Sequence, residues 1–225
     1  IIPVYNEKKT IEIVVNKELK FKELNTTIII VNDGSTDETV DIINNLKKKY
    51  PDNIKILNHD KNLGKGAAIN TAIQNLESEI VLIQDADLEY DPSDYSKLLH
   101  PILNNQADVV YGSRFLGGQQ VRVHLFWNYL ANKLLTLTTN ILVNMNFTDM
   151  ETGYKVFKRS SLESIKIEEN SFTVEPEITI KLAKKKFIFY EVPISYYGRS
   201  YEEGKKIKLK DAFLAFYCLF KYRFF

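Results

Sequence analysis

Three carboxylates at alternate positions, Asp85, Asp87 and Glu89, follow directly on an apolar run in the stretch IVLIQDADLEYDP, residues 80–92. Such a run bounded by polar residues is the pattern of a strand buried on both faces, as in a parallel sheet covered by helices. If the chain stays extended beyond it, side chains two apart share a face, and the three acids converge where the strand ends. Concentrated negative charge is costly there, and a divalent cation held by carboxylate oxygens would offset it. The spacing therefore points to a metal site on Asp85, Asp87 and Glu89. Asp91 and Pro92 read as the N-cap and first residue of a helix, which sets Asp91 apart from the metal ligands.

Other stretches carry weaker signals. In TIIIVNDGSTDE, Ser35 and Glu38 fit a capping box, whereas Asp33 precedes the cap and is free to accept hydrogen bonds from a base or ribose. The run NLGKGAAIN, residues 62–70, opens a helix with glycines and a lysine. It is similar to a phosphate loop without being a P-loop, which needs four residues between its first Gly and Gly-Lys-Ser/Thr. Lys65 is the candidate ligand there. In SYYGRSYEEGKK, residues 195–206, Arg199 and Lys205 flank two acids and Gly204, which reads either as a solvated surface loop or as a loop that closes its cations over an anion. His59, His100 and His124 are scattered without ligand spacing and are assigned no chemistry.

These residues need elements to position them. Apolar β-branched runs alternate with helical patterns: TIIIVN, a helix from about 37 to 49, IKIL, a helix from about 65 to 75, IVLIQD, and a helix from Pro92. This rhythm predicts an α/β fold with a doubly wound, mostly parallel sheet flanked by helices. In such sheets ligands bind beyond the carboxyl ends of the strands. The candidates fall there repeatedly: Pro3, Tyr5, Asn6 and Glu7 after the first strand, Asp33 after the second, Asp85 to Glu89 after a later one.

The chain has 225 residues and no Gly/Ser/Pro-rich linker, so one domain is expected. A composition 44% hydrophobic and 26% charged excludes disordered and fibrous classes, and a formal charge of +1 argues against a general polyanion binder such as a nucleic-acid protein. One cysteine, Cys218, forms no internal disulfide, in keeping with a reducing, cytoplasmic setting. The sequence begins without Met inside what reads as a strand, so targeting is not read from it.

Two segments bear on membranes. Between Val123 and Thr148 the only full charge is Lys133, while Asn128, Asn132, Thr136, Asn140 and Asn144 recur every fourth residue. On a helix these form one polar stripe and leave Phe126, Leu130, Leu134, Leu137 and Ile141 on the remaining surface. That surface is either core or laid against lipid. The C-terminal DAFLAFYCLFKYRFF has the aromatics and late cations of an interfacial helix, or of an ordinary docking helix.

The set in order, IPVYNE, VNDGSTDET, NLGKGAA, QDADLE, YGSRF, DMETGYKVF and EVPISYYGRSYEEGKK, resembles the family 2 glycosyltransferases, particularly the branch of dolichyl-phosphate mannosyltransferase and bacterial polyprenyl-phosphate glycosyltransferases. The resemblance spans nearly the whole chain. It implies a GT-A fold, a nucleotide-sugar donor, Mg²⁺ or Mn²⁺, and inversion at the sugar carbon. Position by position, Pro3, Tyr5, Glu7, Val31 and Asp33 match the nucleotide pocket; Asp85, Ala86 and Asp87 match the donor and metal motif; Arg114 matches the Gly-Ser-Arg arginine; and Arg199 with Lys205 matches the closing phosphate clamp. Glu89 stands where the mannosyltransferases often have Gln or Ser, and Glu151 where they have a small or apolar residue.

The expected activity is transfer of a hexose from GDP-mannose or UDP-glucose to a polyprenyl or dolichyl phosphate, by an enzyme peripheral to the cytoplasmic face of a membrane, with Asp87, Arg114 and Arg199 as catalytic residues. Within the chain, 1–115 would bind the nucleotide-sugar, 116–210 the acceptor, and 211–225 the interface. Two alternatives stand beside this reading: transfer to a hydroxyl of a glycan or lipid with Asp149 or Glu151 as base, and a non-catalytic nucleotide-binding regulator.

Overall fold

The computed structural model describes residues 1–21, 23–123, 125–199 and 209–225. Strands β1 (Ile2–Val4), β2 (Ile28–Asn32) and β3 (Ile54–Asn58) pair in parallel, with helices α1 (Ile11–Glu18) and α2 (Thr39–Lys49) in the crossovers. After α3 (Lys65–Ile73) come β4 (Ile80–Ile83), a 3₁₀ turn (Pro92–Asp94), α4 (Tyr95–Leu103), β5 (Val109–Ser113), α5 (Phe126–Val143), β6 (Lys155–Lys158), α6 (Arg159–Glu163), α7 (Val174–Lys184), β7 (Phe189–Pro193) and α8 (Leu209–Phe224). The later strands lie in the order β4-β6-β5-β7.

Two backbone hydrogen bonds, from Ile1 N to Leu82 O at 2.7 Å and from Gln84 N to Ile1 O at 2.9 Å, join the two sets along β1 and β4. The continuous order is therefore β3-β2-β1-β4-β6-β5-β7. β6 runs antiparallel to both β4 and β5. IVLI thus forms a strand as expected, but in a mixed sheet, with alternate residues only half-buried. β2 and β5 are instead buried on both faces. In β2 the two faces pack against different helices. Its Ile28 and Ile30 pack with Ile11, Val14, Val15 and Ile43 of α1 and α2, while Ile29 and Val31 pack with Ala68 and Ala72 of α3. The period of two in a strand produces this division.

Asp91 accepts from Ser93 N at 2.9 Å as the expected cap. Ser35 is not a cap. Its Oγ accepts from Asn6 N at 3.0 Å, and α2 starts at Thr39, whose N donates to Asp37 Oδ1 at 3.1 Å. A partner 29 residues away in sequence outcompetes the local box.

The polar stripe of α5 faces inward. Thr136 is buried and accepts from Met150 N at 3.2 Å, and Asn140 exchanges two hydrogen bonds with the Phe147 backbone at 2.8 Å each. Asn144 ends the helix in the left-handed conformation, φ 54°. Phe126, Trp127, Leu134, Leu137 and Ile141 are exposed instead. α8 packs beside α5 through Ala215, Cys218 and Leu219, and leaves Phe213, Leu214, Tyr217, Phe220 and Phe224 exposed. No helix among the described residues is long and apolar enough to cross a membrane.

Candidate active site

The loops at the carboxyl ends of β1, β2, β4 and β5 open onto one cavity of about 650 Å³, within the range of small-molecule sites. Pro3, Tyr5, Glu7, Asp33, Lys65, Asp85, Ala86, Asp87, Glu89, Arg114 and Arg199 all line it. Val31 does not: its side chain points away into the α3 core, because its neighbours in β2 alternate faces. Lys205 and the rest of the 200–208 segment lie outside the described residues.

At the acidic end the chain does not continue extended. β4 stops at Ile83, and residues 86–90 turn, with Leu88 at φ 62°. The acids consequently turn to different groups, with Arg199 shared by Asp87 and Glu89. Asp85 Oδ1 meets Lys65 Nζ at 2.7 Å, and Asp87 Oδ2 meets Arg199 Nη2 at 2.6 Å. Glu89 accepts from the Tyr196 hydroxyl at 2.9 Å and from Arg199 N at 2.8 Å, so it ties down the segment after β7. Among the described residues no three acidic, His or Cys side chains converge into a metal cage. Two carboxylates are nevertheless the usual protein contribution to a Mg²⁺ site completed by substrate phosphates and water. Asp85 and Asp87 fit that donor set. Burial, with the charges of Asp85 and Glu89, pushes the Asp87 carboxyl up to about 7 against the pull of Arg199, so the cluster carries more negative charge than it readily accommodates. Gly153 is needed beside it, since a Cβ there would stand 2.2 Å from Asp85 Oδ2.

The start of α3 is not an anion cradle. The N–H groups of Gly66 and Ala67 both donate to Asn170 O, at 2.8 and 3.2 Å, and a Cβ at Gly66 would stand 2.1 Å from Glu169 O. The glycine serves close backbone packing. Lys65 instead bridges Asp85 and Glu175, at 2.7 and 3.0 Å. Glu175 also receives Lys155 Nζ at 2.5 Å. Lys155 is fully buried, donates further to the carbonyls of Met150 and Thr152, and lies 4.6 Å from the centre of the Tyr111 ring. Burial opposes ionisation of Glu175, yet Lys155 and Lys65 hold it below the usual carboxylate range. The result is an alternating row, Asp85, Lys65, Glu175, Lys155, that fixes Asp85 from behind. Sequence reasoning assigned no role to Glu175 or Lys155. Lys155 sat within the quoted DMETGYKVF, but nothing in VEPEITIK distinguishes Glu175 from a surface acid.

Asp33 is similarly committed. Its carboxylate accepts from Leu63 N at 2.9 Å and Gly64 N at 2.8 Å and meets His59 Nδ1 at 2.7 Å, while His59 Nε2 reaches Thr71 Oγ1 at 2.9 Å. Asp33 therefore holds the 62–64 loop at the cavity wall, and His59 orients Asp33. Gly34, at φ 68°, lets the Lys61 backbone pass, since a Cβ there would lie 2.4 Å from Lys61 C.

Arg114 reaches Asp149 with Nε at 2.6 Å and Nη2 at 2.7 Å, and its backbone N donates to the same carboxylate at 3.0 Å. Its guanidinium also lies 5.0 Å from the centre of the Tyr196 ring. Two residues on, Glu151 lines the cavity with Oε1 buried and without a hydrogen-bond partner. Burial pushes its carboxyl up to about 7, with Lys155 and Arg114 opposing and Glu175 and Asp149 adding to the shift.

Comparison with known proteins agrees with this geometry. Residues 1–166 match the model of glycosyl transferase family 2. A dolichyl-phosphate beta-glucosyltransferase of Trichomonas vaginalis is 29% identical over 93% of this chain and 67% of its own length. The dolichol-phosphate mannosyltransferase of Pyrococcus furiosus is 27% identical over 91% of this chain and 58% of its own. A UDP-N-acetylglucosamine–dolichyl-phosphate N-acetylglucosaminyltransferase of Methanococcus voltae is 29% identical over 97% and 93%. Among solved structures, glucosyl-3-phosphoglycerate synthase of Mycobacterium tuberculosis with Mn²⁺, UDP and phosphoglyceric acid superposes with a TM-score of 0.75, covering 99% of this chain and 77% of that one at 17% identity. That likeness establishes the fold, which is of the GT-A type. With the family model spanning most of the chain, the protein belongs to glycosyltransferase family 2, on its dolichyl-phosphate glycosyltransferase branch, and is a hexosyltransferase.

Proposed function

We propose that this enzyme moves a hexose from a UDP- or GDP-sugar, with inversion, to a polyprenyl phosphate at a membrane surface. One observation carries the reading. The cavity that holds Asp85, Asp87 and Arg199 extends to Trp127, Asn128 and Leu135 of α5 and to Ala212 and Ala215 of α8, the two helices whose outer faces are apolar. A lipid acceptor lying along those helices would present its phosphate to the cavity without leaving the bilayer surface. The relatives named for dolichyl-phosphate transfer support the same acceptor class.

In the reaction an acceptor phosphate oxygen attacks the anomeric carbon. The bond from that carbon to the nucleoside diphosphate breaks, and its electron pair leaves with the diphosphate. A monoalkyl phosphate has a second pKa of about 6 and is mostly ionised at neutral pH, so no base need remove a proton. Asp85 and Asp87 would hold a divalent cation, which when bound neutralises charge on the leaving diphosphate. Lys65 and Glu175 fix Asp85, and Arg199 supplies positive charge beside Asp87. Arg114, turned to Asp149, positions the wall carrying Tyr196. Residues 1–115 then form the donor half, 116–210 the acceptor half and 211–225 an interfacial helix. A hydroxyl acceptor would instead need a base, and of Asp149 and Glu151 the one not bound to Arg114 is Glu151.

The test is transfer from labelled UDP-glucose, UDP-N-acetylglucosamine and GDP-mannose, with Mn²⁺, to a short polyprenyl phosphate and to the corresponding polyprenol. Product with the phosphate alone is expected. Product with the polyprenol at a comparable rate would replace this reading with the hydroxyl acceptor.

A further inference from the structure

We infer that Glu151 and Asn128 form a hydroxyl-binding subsite for the transferred hexose, an assignment that rests on the proposed nucleotide-sugar reading. Among the described residues, Glu151 Oε1, in the turn before β6, and Asn128 Nδ2, in the first turn of α5, are buried on this cavity wall with neither a hydrogen bond nor an ion pair. Buried polar groups are satisfied in nearly all native structures, and each exception in a ligand cavity calls for an explanation, of which a bound ligand is one. One atom is an acceptor and the other a donor. A sugar hydroxyl both donates and accepts through one small oxygen, so the hydroxyls of a hexose can supply what both atoms lack.

The position selects among the parts of the substrate. Gly153, two residues beyond Glu151, touches Asp85, and its N donates to the Tyr90 hydroxyl at 2.8 Å, which holds the Glu151 turn against the acidic motif. The subsite thus lies between the donor diphosphate's expected place and α5. A carboxyl, ionised or not, and an uncharged amide bring no positive charge to an anion, which disfavours the diphosphate and the acceptor phosphate as occupants. The hexose is the neutral, hydroxyl-bearing part that lies between those two phosphates. A base and ribose belong to the other end, beside Asp33 and Tyr5. Such a site discriminates strongly, because a sugar lacking the matching hydroxyl leaves both buried groups unpaired.

The experiment is calorimetric titration of the protein, with Mn²⁺, by UDP, GDP, UDP-glucose, UDP-N-acetylglucosamine and GDP-mannose, repeated on Asn128→Ala and Glu151→Ala. Asn128 is in the first turn of a helix and only partly buried, so its variant keeps the fold if the Glu151 variant does not. The nucleotide-sugar bound best by the unaltered protein should lose roughly tenfold or more in affinity in each variant, while its nucleoside diphosphate alone changes by less than about twofold. Equal losses for the sugar and the bare nucleotide would overturn the subsite. So would unchanged donor affinity with transfer abolished, which assigns Glu151 to the acceptor as a base. If the unaltered protein binds none of the five nucleotides, the nucleotide-sugar reading itself fails and the subsite with it.

Discussion

Arg114 and Asp149 make a two-pronged ion pair at 2.6 and 2.7 Å, with the carboxylate fully buried and the arginine backbone N–H on the same group. Three of the carboxylate's roughly four lone-pair sites are taken by Arg114, which leaves it little capacity to act as a base. Removing one member of a buried pair strands the other charge, which costs about 3–5 kcal/mol. Asp149→Asn is therefore expected to lower the unfolding free energy by that order, measured by thermal or denaturant unfolding. The fraction still folded should retain turnover. Loss of turnover without loss of stability would make Asp149 a base after all.

The metal assignment separates two neighbouring acids. Asp87→Asn should nearly abolish transfer and weaken Mn²⁺-dependent nucleotide binding while leaving the fold intact. Asp91→Asn keeps the cap, since Asn also caps well, and loses only the half-exposed pair with Lys17 at 2.7 Å, which contributes about 0–1 kcal/mol. Titrating metal and nucleotide into both variants checks this. Equal losses would remove Asp87 from the metal site.

The apolar outer faces give a physical test of membrane contact. Phe126 and Leu134 are 62% and 48% exposed, so serine at both should leave the melting temperature nearly unchanged. Core residues of that size would instead cost about 2–5 kcal/mol each when truncated. Co-sedimentation with liposomes of mixed neutral and anionic lipid should fall in the double variant. Sedimentation equal to that of the unaltered protein would place the lipid-binding surface elsewhere.

Glu151 gives a pH signature. Its carboxyl titrates near 4.5 when unfolded and about 7 in the fold, chiefly through burial. Between those values the folded chain holds a proton that the unfolded chain has lost. This contribution to stability is complete below pH 4.5 and is lost as pH rises to about 7. Glu151→Gln carries no such proton, so its melting temperature relative to the unaltered protein should rise across that window. A difference independent of pH would mean that the carboxyl is ionised throughout.

The alternation of apolar runs with helical periods was sufficient to place the loops that carry Glu7, Asp33, Asp85 and Asp87 at one end of a sheet, because strand direction and crossover handedness leave few other arrangements. Residue type and local spacing also determined the Asp91 cap and the four-residue polar stripe of α5. Tertiary structure decided which side of that stripe faces inward: Thr136 and Asn140 find backbone partners at Met150 and Phe147, more than six residues away, so the apolar side is the one left outside. It also decided the partners of the acids. Extension beyond Ile83 would have brought three carboxylates together, whereas the turn at Leu88 sends Asp85 to Lys65, Asp87 to Arg199 and Glu89 to Tyr196. Glu175, Lys155 and His59 became legible only there, since a buried charge is recognisable by the partner that compensates it, and those partners come from distant parts of the chain.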